Sequence, residues 1–158
     1  MVNAVQIKNL DEVDKQILKL LQENAKISLR DMEKEINLST TSIRLRIKSL
    51  EKQNIIKDYI TLIDCHQLGY KEMVIASLRV NTSQSLEEIR KKLNKMEEIK
   101  YAYIVTGEYP LFISFKCLDH EDAMKLIEKL RNLPGVEEVK TQIVLDKIKE
   151  DPRIIIPE

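Results

Sequence analysis

"NLSTTSIRLRIKSLEKQNIIK" (residues 37–57) holds five basic side chains against one acidic, in a chain whose 26 basic and 26 acidic residues cancel. Asn37 tolerates the left-handed backbone that a tight helix–helix turn needs. Ser39 can then cap a helix predicted over roughly 40–52. On a wheel at ~100° per residue, Ile43, Ile47 and Leu50 share one narrow sector. Thr41, Leu45, Lys48 and Lys52 fall almost opposite, with Arg44 and Ser42 on the shoulders.

Working outward, Asp11 can cap a helix over roughly 12–23, with Glu12 and Asp14 in its first turn and Val13, Ile17, Leu20 and Leu21 on one face. Ser28 opens a shorter helix through Glu35 with Leu29, Met32 and Ile36 inward. Three short helices with a tight turn between the last two predict a winged or three-helix helix-turn-helix unit. Asn54 repeats the left-handed cap, and "IIKDYITLI" (55–63), apolar and β-branched, reads as an extended strand leaving the unit.

The third helix is therefore placed where a recognition helix enters a major groove. Residues 1–38 carry six basic and seven acidic side chains, whereas 39–57 carry five and one. Arginine and lysine reach phosphates or the acceptor edge of guanine, serine and threonine bond several base edges, and an exposed leucine can rest on a thymine methyl. The expected duplex-facing set is Ser39, Thr40, Thr41, Ser42, Arg44, Leu45 and Lys48, with Thr40 near the backbone. Arg46, Lys52 and Lys57 are assigned phosphate or structural roles. A neutral whole-chain charge limits indiscriminate binding to nucleic acid.

From Leu68-Gly69 onward the rhythm changes. "MVIASLRV" (73–80) reads as a strand, and Leu86, Ile89, Leu93 and Met96 as one face of a helix. "IKYAYIVTG" and "LFISFKCL" read as strands around "GEYP" (107–110). Asp119 caps a second helix, and "VEEVKTQIVLDKI" (136–148) is a fourth strand. The order β-α-β-β-α-β is ferredoxin-like, with helices on one face of an antiparallel sheet. Ile75, Tyr103, Phe115 and Val144 are placed on neither face by pattern alone. The apolar residues left on the bare face are most simply covered by a second copy. The expected class is thus α+β, with a helix-turn-helix domain over 1–58, a linker strand or hinge over 59–72, and a ferredoxin-like effector-binding and oligomerisation domain over 73–158.

An apolar share of 43% supports a packed core. Cys65 and Cys117 form no metal-type spacing, and two reduced thiols are expected, in keeping with an intracellular protein. No apolar run approaches the ~20 residues of a membrane span, and "MVNAVQIKNLDEVDK" (1–15) lacks a signal peptide's apolar region. The expected location is the cytoplasm.

The residues also resemble a known family, the Lrp/AsnC or feast/famine transcription regulators. The N-terminal resemblance rests on Leu10-Asp11-x-x-Asp14, Ile17-Leu18-x-x-Leu21, Leu38-Ser39, Ile43-x-x-Arg46-Ile47, Leu50-Glu51, Ile55-Ile56 and Leu68-Gly69. The C-terminal half is similar through Thr106-Gly107-Glu108-Tyr109, Leu133-Pro134-Gly135-Val136 and Thr141. The resemblance implies pseudo-palindromic DNA sites, a homodimer built through the C-terminal sheets and often assembled to octamers, and amino-acid effectors bound between subunits. The effector set it implies is Thr106, Gly107, Glu108, Tyr109, Pro110 and Thr141.

Two asparagines, Asn37 and Asn54, replace the family's usual glycines and keep access to the left-handed region. Pro110 stands where amino-acid-binding members often place Asp, and it offers an effector's ammonium neither charge nor donor. Val139 replaces a frequent Thr. An unusual ligand, another mode of binding and no ligand at all therefore stay open.

Siroheme decarboxylases look like this family and are the enzymatic alternative; a sensing or assembly module without DNA binding is the other. The chain has only His66 and His120, and neither a phosphate-cradling loop, zinc spacing nor a nucleophile–histidine arrangement is evident. No catalytic residue, metal ligand or cofactor is expected, and the reading is a regulator rather than an enzyme.

Overall fold

The computed structural model describes residues 10–81 and 85–157; segment 1–9, counted above in the first domain, lies outside them. The described residues fall into two units. One runs up to Leu62 and takes back the residues from Asp151 onward, and the other is Ile63–Glu150.

In the first unit, α1 (Glu12–Glu23) begins with a reciprocal cap. The Asp14 N–H donates to Asp11 Oδ1 at 2.8 Å, and the Asp11 N–H donates to Asp14 Oδ2 at 3.4 Å. Ser28 caps α2 (Leu29–Ile36), and Ser39 caps α3 (Thr40–Lys52). Asn37 sits at φ 56° and Asn54 at φ 55°, the left-handed turns that the sequence requires after α2 and α3. Ile17, Met32, Ile36, Ile43 and Leu50 are buried together, so each helix gives the core the face its periodicity marks. The unit is three-helical, with no β-wing among the described residues. The Gln22 side-chain amide donates to Ile154 O at 3.1 Å and accepts from Ile154 N–H at 2.8 Å, which seats the returning segment on α1.

The linker strand expected over 55–63 is absent. The N–H groups of Ile55 and Ile56 both donate to Leu50 O, at 3.0 and 3.3 Å, closing the end of α3, and both side chains pack on its core. Those donors are unavailable to a sheet, and the β-branched composition is overridden by tertiary demand. Irregular chain follows to a 3-10 turn at Cys65–Leu68, which Gly69 terminates at φ 88°.

The second unit carries β1 (Glu72–Val80), α4 (Ser85–Leu93), β2 (Ile99–Ile104), β3 (Leu111–Cys117), α5 (His120–Arg131) and β4 (Val136–Ile143). The sheet order is β2-β3-β1-β4 with every pair antiparallel, the ferredoxin-like arrangement. The last strand stops at Ile143, short of the expected 148. Val74, Ala76, Leu78, Val80, Leu111, Ile113, Phe115 and Cys117 form one sheet face and are buried with residues of α4 and α5. Phe115 thus joins the core. Ile75 and Tyr103 lie on the opposite, open face, and Val144 lies beyond β4 with its N–H on Met73 O. Both cysteines are free. Burial, with Asp122, Glu72 and Asp119 nearby, pushes the Cys117 thiol up to about 11. Among the described residues no helix is long and apolar enough to cross a membrane.

Candidate nucleic-acid interface

The cap of α3 uses two of the expected hydroxyls. The Ser42 N–H donates to Ser39 Oγ at 3.3 Å, and the two Oγ atoms are 3.0 Å apart. Beyond this cap, Thr41, Arg44, Leu45, Lys48, Ser49 and Lys52 are exposed, and Thr40 and Ser42 are half-buried. Leu45 is 64% exposed, so it is no part of the core. Arg44, Lys48 and Lys52 repeat at i, i+4 and i+8, and like charges at that spacing weaken a helix by about 0.2–0.5 kcal/mol per pair. Among the described residues none of the three has an ion-pair partner. The row is thus an uncompensated strip of positive charge beside an exposed leucine.

Arg46 is the exception. Its Nη1 lies 2.6 Å from Asp11 Oδ2 and 2.9 Å from Asp14 Oδ1, so one guanidinium ties α3 to the capping box of α1. The Asp14 N–H and the Arg46 guanidinium hold the Asp11 carboxyl below its ordinary 3.8. This pair gives Arg46 the structural role, one of the two assigned to it from sequence, in joining α3 to the start of α1. Since Asp11 titrates lower when folded, the pair supports folding above about pH 4 and loses that contribution as pH falls through the lowered value. Thermal stability of the first unit is expected to fall on acidification through that range, and Asp11→Asn to flatten the dependence. An unchanged pH profile in the variant would contradict the pairing.

At the exit of α3, Tyr59 Oη donates to Glu51 Oε1 at 3.0 Å. Burial first, then the Glu51 carboxylate, push this phenol up to about 12. Glu51, the one acidic residue of the opening stretch, is thereby occupied away from Arg44 and Lys48. Neither this contact nor the Asp11–Arg46 pair is legible in helical periodicity, because both join residues of different elements.

The 106–110 turn is closed by the Val105 N–H donating to Pro110 O at 2.8 Å, with Gly107 at φ 115°. Thr106, Gly107 and Glu108 are exposed, and Tyr109 and Pro110 half-buried. Arg79 gathers this region: Nη1 is 3.1 Å from Glu108 Oε1, Nη2 is 2.7 Å from Glu138 Oε2, and Nε is 3.6 Å from Glu137 Oε2. Tyr109 Oη donates to the same Glu138 oxygen at 3.0 Å, and Lys140 Nζ stands 4.1 Å from the centre of its ring.

Of the expected effector set, Glu108 and Tyr109 therefore meet in one cluster. Thr141 does not join it: its register partner is Ala76, on the helix side of the sheet, while Lys140 and Glu138 lie on the open side. Arg79, Glu138 and Lys140 were not foreseen from sequence. Arg79 alternates with the apolar Leu78 and Val80, but only the β1–β4 register brings the other two beside it. His66 is exposed on the 3-10 turn, and His120 Nδ1 is 3.9 Å from Glu72 at the start of α5.

A three-helix helix-turn-helix with a cationic third helix, joined to a ferredoxin-like unit, defines a two-part DNA-binding regulator. The profile of the AsnC-type helix-turn-helix domain matches residues 10–51, and that of the Lrp/AsnC ligand binding domain matches residues 73–154. The FL11 HTH-type transcriptional regulator of Pyrococcus horikoshii is 32% identical over 93% of this chain and 97% of its own. The leucine-responsive regulatory protein of Escherichia coli is 30% identical over 94% and 93%. The solved structure of E. coli AsnC superposes with a TM-score of 0.85 at 25% identity, covering 94% of this chain and 99% of that one. A Neisseria meningitidis transcriptional regulator solved with L-Met shares the fold, with a TM-score of 0.88 at 21% identity over 93% and 97%. The chain belongs to the Lrp/AsnC family of transcriptional regulators.

Proposed function

We propose that this regulator reads a pseudo-palindromic operator as a homodimer, laying α3 of each copy in the major groove. The observation that carries the reading is the Arg44–Lys48–Lys52 row, without ion-pair partners among the described residues and next to the exposed Leu45. In this reading Thr41, Ser42, Arg44, Leu45 and Lys48 face base edges. Lys52 contacts phosphate, Thr40 lies near the backbone, and Ser39 and Arg46 hold the helix in position. The working divisions are residues 1–58 for DNA, 59–72 as hinge and 73–158 for effector and assembly. The test is fluorescence anisotropy with the duplex upstream of the protein's own gene across a salt series. Affinity should fall steeply as salt rises, and Lys52→Ala should reduce the log–log slope by about 0.9. A flat salt dependence in the parent would sink the reading.

Self-association is assigned to the open sheet face. Tyr101 and Tyr103 are 53% and 51% exposed there, with Phe112 and Ile75 beside them, a run of apolar surface that a second copy covers. Tyr103→Glu should convert dimer to monomer in sedimentation, with the circular dichroism of the fold retained; an unaltered sedimentation coefficient would relocate the interface.

The cluster of Arg79, Glu108, Tyr109, Glu138 and Lys140 is the proposed effector site, for an amino acid or a related metabolite. Support comes from the ligand-binding-domain profile and from the L-Met bound by the Neisseria regulator. With Pro110 uncharged, an effector's ammonium group draws on Glu108 or Glu138 in competition with Arg79.

A further inference from the structure

At the other end of β3 from the 106–110 turn lies a cavity of about 180 Å³. The Leu78–Leu111 pair marks the turn end of the sheet and the Glu72–Cys117 pair the cavity end, some 20 Å away at the rise of a strand. The 3-10 turn, the start of β1 and the chain after β4 enclose it. Tyr70, Met73 and Val144 supply apolar wall, and Lys71, Lys116 and Lys147 supply charge.

Two of those lysines already hold a carboxylate. Lys147 Nζ is 2.7 Å from Glu150 Oε2, and Lys116 Nζ is 3.9 Å from Glu150 Oε1. Lys116 comes from β3 and Lys147 from the segment after β4, so residues far apart in sequence converge on one anion. Lys71 has no ion-pair partner among the described residues. We propose that this cavity is a second ligand site, for a small carboxylate with a short apolar body, and that Glu150, which lies outside the lining, competes for two of its lysines.

The physical case is a competition. Glu150 is half exposed, so its ion pairs are screened and individually weak. A free carboxylate makes the same two contacts and also buries its hydrocarbon against Tyr70, Met73 and Val144, which the short Glu150 stem held by the lysines does not fill. With Glu150 displaced, the lining holds Lys71, Lys116 and Lys147 against Glu72 and Asp146, a balance that favours an anion. Glu150 is also the residue immediately before the segment whose Ile154 exchanges hydrogen bonds with Gln22. This site is independent of the effector cluster at Arg79.

The full chain is titrated with sodium isobutyrate, against sodium chloride at equal ionic strength, and followed by amide nitrogen–proton shifts. Saturable shifts at Tyr70, Met73 and Lys147 are expected with isobutyrate alone. Glu150→Gln should bind isobutyrate several-fold more tightly than the parent, because the competitor is gone. Lys116→Gln should weaken it roughly tenfold or more, the loss of one charge-assisted contact. The spectra themselves report that each variant is folded. Equal affinity in the parent and Glu150→Gln, identical shifts with chloride, no saturable shift, or shifts centred on residues 106–110 would each overturn the proposal; the last would leave the effector cluster standing.

Discussion

Ile43→Ala is expected to destabilise the helical unit by about 2–5 kcal/mol and to abolish duplex binding at ordinary temperatures. Ile43 has no exposed surface and packs with Ile17, Met32 and Leu50, one from each helix. Removing three of its carbons leaves a void where the three helices meet, and a unit of this size has little stability to lose. The same helix carries the cationic row on its far side, so a core defect reaches the groove without touching a duplex-facing residue. Urea unfolding followed by circular dichroism gives the size of the loss. Ile43→Val should cost only about 0.5–1.5 kcal/mol and keep binding. Self-association through the sheet unit should survive both changes. A loss below 1 kcal/mol in the alanine variant would mean that Ile43 is not the packing centre described.

Arg44→Ala should cost about 1–3 kcal/mol of operator binding, roughly 5- to 150-fold in affinity, and relax preference at a single base position. Arg44 is exposed on a shoulder of α3 and forms no ion pair among the described residues, so its removal takes nothing from the fold. The informative contrast is Arg46→Ala, two residues on. That side chain is spent on Asp11 and Asp14, so its loss should lower the unfolding midpoint and weaken all duplexes alike. Competition binding against a set of single-position operator variants separates the two. If Arg44→Ala kept the parent's preference at every position, the base-reading role would belong elsewhere on the helix.

The three helices were readable because each announces itself locally: a capping side chain at Asp11, Ser28 or Ser39, an apolar face at helical spacing, and an asparagine where the chain turns left-handed. The βαββαβ order was readable for the same reason, from the strand-like runs "MVIASLRV" and "LFISFKCL" and from Asp119 before α5. Failures occurred where a local pattern met a nonlocal demand. Ile55 and Ile56 have strand composition, yet their N–H groups close α3. For Arg46 a structural role was open, but partners about 35 residues upstream in sequence could not be named from spacing. The Arg79 cluster depends on the register of β1 against β4, which residue spacing does not encode. Periodicity thus revealed which faces exist and left undetermined which side chains meet across them.

The hydrogen bonds between Gln22 and Ile154 have a consequence for synthesis. Residues near the start of the chain wait for a partner that the ribosome makes 132 residues later. The three-helix core can assemble as soon as α3 has emerged, but α1 acquires its last contacts only after all four strands of the second unit have been translated. A nascent or prematurely terminated chain therefore displays a recognition helix on a scaffold lacking its final fastening.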